Sequence, residues 1–102
     1  MTSEAHYSKI ELENMFADDF SIPQFPLLAE IYLKENDLYR AKKVCEIGLE
    51  SMPDNIEAQY ILAKIALLNN NIIQAERILQ HCYKQKISSI KLVKLLVEVR
   101  DS

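Results

Sequence analysis

The chain has 102 residues, a formal net charge of −3 at pH 7, 49% hydrophobic residues and one glycine. A chain of this length forms one domain with a modest hydrophobic core. Its acidic balance argues against nucleic-acid binding, and because it has neither a signal-peptide core nor an apolar stretch near ~20 residues, we expect a cytoplasmic protein without membrane contact.

The first predicted element is a helix over 3–16 with Ser3 as its N-cap. Its less polar side consists of Tyr7, Ile10, Met15 and Phe16. We assign 1–21 to a partly helical N-terminal segment. Pro23 and Pro26 follow, and a proline disfavours helical geometry at the residue before it. The next helix is therefore expected to become regular near Gln24 to Pro26.

Four further helices are predicted, at about 24–34, 38–51, 56–68 and 72–85, because good helix formers dominate this part of the chain. Glu35-Asn36-Asp37 forms the turn inside the first pair, and Asn69-Asn70-Asn71 forms the turn inside the second. Asparagine suits such a turn because it tolerates left-handed backbone geometry. Asp54 or Asn55 caps the helix between the two turns. A final helix is predicted over 89–99.

The sequence contains an internal repeat, whose period is the number of residues from Leu28 to Leu62. At this constant spacing Leu28, Ala29, Leu33, Asn36 and Ala41 recur as Leu62, Ala63, Leu67, Asn70 and Ala75. A repeat of this length is one antiparallel helix pair, which buries its apolar face only by stacking on a neighbouring pair. The sequence thus predicts an all-α fold of helix-hairpin repeats over 22–55 and 56–89.

These positions resemble the tetratricopeptide (TPR) repeat. The first copy carries the family's pattern of bulky, small and aromatic residues at Phe25, Leu28, Ala29, Tyr32, Ala41, Cys45, Gly48 and Pro53. The second copy departs from this pattern at Gln59, Ala66 and Ile87. The resemblance implies a TPR-like α-solenoid of about five to six helices, with a TPR-like domain over 22–102 whose concave surface binds a protein or peptide.

In that family the first helix of each repeat lines the concave surface. The resemblance therefore places on this surface Pro26, Glu30, Leu33 and Lys34 from the first copy and Glu57, Tyr60, Lys64 and Leu67 from the second. On this pattern the partner-binding residues are Glu30, Lys34, Tyr60, Lys64, Lys91 and Lys94. An aromatic residue with two cations on one inferred face, Tyr60, Lys64 and Lys94, favours an acidic or aromatic-bearing ligand. Pro26, Glu30 and Glu98 stand where a peptide-carboxylate clamp requires other residues, so the capture of a C-terminal peptide carboxylate is not expected.

The predicted helix over 89–99 has an apolar arc of about 200°, which is wider than a terminal cap needs. A second subunit, a further domain of a longer chain or the N-terminal segment could cover it. We predict a homodimer whose interface consists of Leu92, Leu95, Leu96 and Val99.

Charge is distributed unevenly along the chain. Residues 1–58 hold twelve acidic and five basic side chains, a balance of −7, whereas 59–102 hold three and seven, a balance of +4. This asymmetry can steer an oppositely charged partner or favour head-to-tail contact between copies, or it can reflect solvated faces alone.

No residue pattern indicates catalysis, a metal or a cofactor. Cys45 and Cys82 take core positions of the repeat and are interpreted as packing residues. His81 and Cys82 are adjacent on a helix and point about 100° apart, so they cannot form a dyad. We therefore expect a scaffold or adaptor protein rather than an enzyme. The alternative is an N-terminal regulatory or targeting domain of a larger enzyme.

The repeat register predicts that paired helices meet closely at Ala41 and Ala75. Ala41→Leu should lower the free energy of unfolding by roughly 1–3 kcal/mol through overpacking. Thermal unfolding of the variant and the wild type measures the change, and an unchanged midpoint would mean that the assigned register is wrong.

Overall fold

The computed structural model describes residues 7–84 together with Leu95, Val97 and Glu98. Across this part of the chain the fold has five helices and no strand, which confirms the prediction that it is all-α. The helices are α1 (Lys9–Asp18), α2 (Phe25–Lys34), α3 (Leu38–Ser51), α4 (Ile56–Leu68) and α5 (Ile72–Lys84). None of the helices described is long and apolar enough to cross a membrane. Most of the predicted final helix lies outside the described residues.

The predicted start of the first helix is wrong. α1 begins at Lys9 because Ser8, and not Ser3, is its N-cap. The Glu11 N–H donates to Ser8 Oγ at 3.1 Å, and the Ser8 N–H donates to Glu11 Oε1 at 2.8 Å. This reciprocal pair is a capping box, which satisfies two backbone donors at the helix start. Ser3 itself lies outside the described residues.

The predicted apolar side of α1 is right for Phe16 and wrong for Ile10. Leu12, which is 1% exposed, and Phe16 are one turn apart and both join the core, whereas Ile10 is exposed. Ile10 lies two residues before Leu12, so it projects from nearly the opposite side of the helix. The side that faces α2 is therefore set by the spacing of Leu12 and Phe16.

The turn after α2 contains a residue with left-handed backbone geometry, Asn36, whose φ is 62°. The Asn36 N–H donates to the Leu33 carbonyl at 3.0 Å, and the Asp37 N–H donates to the Tyr32 carbonyl at 2.8 Å. These two bonds define a Schellman motif, which satisfies carbonyls at the end of a helix. Asp37 then caps α3, since its Oδ1 accepts from the Arg40 N–H at 3.2 Å.

The turn after α4 repeats this arrangement in the second copy. Asn70 has a φ of 63°, which confirms the left-handed geometry expected from the three asparagines. Its N–H donates to the Leu67 carbonyl at 3.0 Å, and the Asn71 N–H donates to the Ala66 carbonyl at 2.7 Å. Asn71 Oδ1 accepts from the Gln74 N–H at 3.3 Å and caps α5. The two copies therefore share their turn geometry as well as their sequence.

Each short turn folds its second helix back along the first, so α2 pairs with α3 and α4 pairs with α5. The two pairs meet through α3 and α4 and through α2 and α4, while α1 packs on α2. One buried cluster contains residues from each of the helices α1, α2, α3 and α4. Its members are Leu12, Phe16, Phe25, Leu28, Ala29, Tyr32, Ala41, Val44, Cys45, Ala58, Ile61 and Ile65. A second cluster consists of Ala63, Ala66, Ala75, Leu79 and Leu95.

Gln59 is buried although its side chain is polar. Its Nε2 donates to the Pro53 carbonyl at 2.6 Å, so the start of α4 is tied to the loop that precedes the helix. Asn55 caps the same helix by accepting from the Ala58 N–H at 2.9 Å, as predicted. A hydrogen-bonding residue thus occupies the position that corresponds to Phe25 in the first copy.

The only glycine of the chain, Gly48, lies inside α3 against the ring of Phe25 on α2. A Cβ atom at this position would be 2.2 Å from Phe25 Cδ1, far inside van der Waals contact. The Phe25 ring is buried and cannot turn away into solvent. Glycine is therefore required here for the close approach of the two helices.

Gly48→Ala should destabilise the protein even though alanine is the better helix former by about 1 kcal/mol. Overpacking against Phe25 costs roughly 1–3 kcal/mol, so we expect a net loss in the free energy of unfolding. Urea denaturation of Gly48→Ala, Phe25→Leu and the double variant measures the coupling between the two positions. A stabilised Gly48→Ala variant would contradict the close contact.

Candidate binding groove

A surface depression lies between α2 and α4. It is lined by Pro26, Leu27 and Glu30 from α2 and by Glu57 and Ile61 from α4, and its volume is about 340 Å³. Residues one turn apart share a helix face, so each helix contributes one continuous wall. We call this depression the α2/α4 groove.

The base of the α2/α4 groove is apolar. Ile61 is 4% exposed and belongs to the core, while Leu27 is 37% exposed and presents part of its side chain to solvent. Pro26 is half-buried in the first turn of α2, where the missing N–H of proline leaves no hydrogen bond unmade. A ligand in the groove would therefore gain free energy by covering these apolar groups.

Two carboxylates accompany this apolar base. Glu30 projects from the second turn of α2 and Glu57 from the first turn of α4, and both residues are exposed. They belong to the acidic part of the chain, 1–58, which has a balance of −7. The α2/α4 groove thus combines an apolar base with negative charge on both walls.

Among the predicted partner-binding residues, Glu30 lines the α2/α4 groove. Lys34 is exposed in the last turn of α2 and is not part of the groove lining. Lys64 and Tyr60 also lie outside the lining, and Lys64 Nζ is 5.9 Å from the centroid of the Tyr60 ring. Lys91 and Lys94 fall outside the described residues and stay predictions.

Leu27 and Ile61 are groove residues that the sequence analysis did not single out. The repeat shift that carries Leu28 onto Leu62 also carries Leu27 onto Ile61, so the two occupy equivalent positions in the two copies. A pair of apolar residues at equivalent positions of two stacked first helices is a signal for a shared surface. The other three residues of the lining, Pro26, Glu30 and Glu57, are among those that the family pattern places on the concave surface.

Leu95 is the one predicted dimer-interface residue that the structure describes. It is 5% exposed and packs inside the chain with Ala63, Ala66, Ala75 and Leu79. Little of its side chain is left for contact with a second copy. Leu92, Leu96 and Val99 lie outside the described residues and stay predictions.

On α2, Tyr32 joins the helix to α1 through a small polar cluster. The Tyr32 hydroxyl donates to Glu13 Oε2, and Lys9 Nζ lies 2.9 Å from Glu35 Oε1 and 5.4 Å from the centroid of the Tyr32 ring. Tyr32 is two residues beyond Glu30, about 200° around the helix. α1 therefore covers the side of α2 that faces away from the α2/α4 groove.

Cys45 has the environment of a packing residue. It is a free, fully buried cysteine, and burial raises the pKa of its thiol to about 12. A thiol that keeps its proton is a poor nucleophile, so the geometry does not favour covalent chemistry here. No group of three or more metal-binding side chains occurs within the described part of the chain, and the side chain of Cys82 is outside it.

Comparison of the chain with protein-family models, with curated proteins and with solved structures finds no match. The TPR resemblance therefore stays an expectation drawn from the sequence.

Alkaline pH should destabilise the fold through Cys45 and Tyr32. Burial raises the pKa of Cys45 from its ordinary 9.0 to about 12, and burial together with the Glu13 hydrogen bond raises that of Tyr32 from 10.0 to about 12. The folded state then holds these protons more tightly than the unfolded state, so stability is unaffected below pH 9.0 and falls towards pH 12.

Urea denaturation over this pH range measures the effect, with Cys45→Ala and Tyr32→Phe as comparisons. Each substitution should reduce the alkaline loss of stability. A wild type whose stability stays flat, or variants with an unchanged pH dependence, would contradict the assignment of these two groups.

Proposed function

We propose that this protein is a protein-interaction module, a scaffold or adaptor, that binds a peptide or protein segment in the α2/α4 groove. The observation that carries the proposal is the groove itself, in which apolar groups reach solvent between two packed helices. Concave apolar sites with a few polar groups are the usual places where ligands bind. A cytoplasmic location also belongs to the proposal.

The repeated structure supports a TPR-like design. The two helix pairs share their left-handed asparagine, their pattern of turn hydrogen bonds and the position of their capping residue, Asp37 in one and Asn71 in the other, all at the spacing of the sequence repeat. Stacked helix pairs create extended concave surfaces that suit the recognition of another chain. In this interpretation α2 and α4 are the first helices of two repeats, and the face that they share is the binding surface.

Binding is favoured over catalysis by the state of Cys45, a group that could otherwise serve as a nucleophile. Its thiol is buried and its raised pKa keeps it protonated. The Glu30 carboxylate lines the groove and is exposed, so it can form an ion pair with a charged partner.

Leu27→Gln should weaken partner binding by on the order of tenfold, because it removes apolar surface from the base of the groove. Ile73→Gln is the matched control, since Ile73 is 72% exposed on α5 and lies outside the groove lining. Quantitative affinity capture with the wild type and both variants should identify proteins that the wild type and Ile73→Gln retain and Leu27→Gln loses. Circular dichroism establishes that both variants keep their helicity.

Partners that are retained equally by all three proteins would place the binding surface elsewhere. Partners that Ile73→Gln loses and Leu27→Gln retains would place the binding surface on α5. Either result would contradict the α2/α4 groove as the site.

A further inference from the structure

We infer that the outer face of α3 is a contact surface between two copies of this chain, which pair antiparallel around a two-fold axis. This surface consists of Tyr39, Lys43, Glu46 and Glu50, which we call the α3 stripe. The inference is independent of the α2/α4 groove. It also differs from the predicted dimer interface, whose described member, Leu95, is buried inside the chain.

The α3 stripe is the part of α3 that points away from the core. Its members are spaced by four, three and four residues, so they fall within an arc of about 60° on the helix. All of them are exposed, and Tyr39 is 72% exposed. The buried residues of α3 lie on the opposite side and are Ala41, Val44, Cys45 and Gly48. A second helix can therefore contact the stripe without displacing a core residue.

The charges of the α3 stripe are self-complementary in one antiparallel alignment. Lys43 and Glu46 are equidistant from the centre of the stripe, and the two end members, Tyr39 and Glu50, share the same centre. A two-fold axis through this centre places Lys43 of each copy against the partner's Glu46. It also places the Tyr39 hydroxyl, a donor, against the partner's Glu50 carboxylate, an acceptor. Two identical stripes can thus form two ion pairs and two hydrogen bonds with each other.

The charged members of the α3 stripe have no ion-pair partner within the described part of their own chain. No salt bridge joins Lys43, Glu46 or Glu50 to another residue there. Lys43 Nζ lies 5.7 Å from the centroid of the Tyr39 ring, and an ammonium over an aromatic ring keeps its charge. A second copy can therefore neutralise these charges without first breaking an ion pair.

The second repeat does not share this charge pattern. The repeat spacing carries the first three members of the α3 stripe onto Ile73, Arg77 and Gln80 of α5, which are also exposed. None of these three residues is acidic, so they cannot form the same ion pairs with an identical helix. The self-complementary pattern therefore belongs to α3 and not to the repeat in general, and Arg77 provides a matched control for Lys43.

The association should be weak and sensitive to salt. One helix face is a small interface, and exposed ion pairs contribute little individually. Salt screens such pairs, with a Debye length of about 10 Å at about 0.1 M ionic strength. We expect a reversible dimer whose dissociation constant rises several-fold between about 0.05 M and about 0.5 M salt.

Charge exchange across the two-fold axis tests the inference. Sedimentation equilibrium over a range of protein concentrations measures the self-association of the wild type, Lys43→Glu and Glu46→Lys. Each variant places like charges opposite each other at both ion-pair positions, so its self-association should weaken by about tenfold or more. Arg77→Glu makes the same change of charge at the equivalent position of α5 and should self-associate like the wild type.

A mixture of the two α3 variants gives the sharpest result. Opposite charges then face each other again at both positions, so Lys43→Glu with a dye at its N-terminus should bind Glu46→Lys with about the wild-type affinity. Circular dichroism establishes that every variant keeps its helicity.

A wild type that stays monomeric at every concentration would overturn the inference. A mixture that associates no better than its components would overturn the antiparallel alignment on which the inference depends. An equal loss in Arg77→Glu and Lys43→Glu, or self-association that Lys43→Glu leaves unchanged, would place the contact on another surface and overturn the inference as well. None of these results depends on the α2/α4 groove, which Leu27→Gln tests separately.

Discussion

The left-handed backbone of one asparagine at the end of α2, and of a second at the end of α4, is the constraint on which the rest of the structure depends. For residues other than glycine this geometry costs roughly 1–2 kcal/mol, and asparagine is one of the few that adopt it readily. In return each turn satisfies two helix-end carbonyls and delivers the next residue as the N-cap of the following helix. Because Asn36 and Asn70 have nearly equal φ angles, the two helix pairs begin from the same geometry.

The α2/α4 groove follows from this equivalence. With both pairs folded alike, the corresponding residues Leu27 and Ile61 come to line one depression. The approach of α3 to α2 is set by the absence of a side chain at Gly48. α1 packs on another side of α2, so this helix does not cover the groove. Apolar side chains and two carboxylates therefore line the same depression.

Local features of the sequence were sufficient to predict the helices and their turns. The bounds of α3 and α4 and the asparagine turns are as predicted, because capping residues, prolines and helix formers act within a few positions. The predicted start of α1 was wrong because two serines, Ser3 and Ser8, could serve as the N-cap. Only Ser8 is followed three residues later by a glutamate, whose side chain accepts a hydrogen bond from the Ser8 N–H. The family pattern placed Pro26, Glu30 and Glu57 on the face that lines the groove, but it did not indicate Leu27 or Ile61, because their part in the lining depends on how α2 lies against α4, which no local pattern encodes.

The most direct test of the two equivalent turns is the free energy of unfolding of Asn36→Ala, Asn36→Gly, Asn70→Ala and Asn70→Gly, measured by urea denaturation. Glycine adopts the left-handed geometry without strain, whereas alanine does not. Alanine should lower the free energy of unfolding by about 1 kcal/mol at each position, and glycine should be neutral or stabilising at both. Alanine tolerated without loss at either position, or opposite effects at the two positions, would contradict the equivalence of the turns.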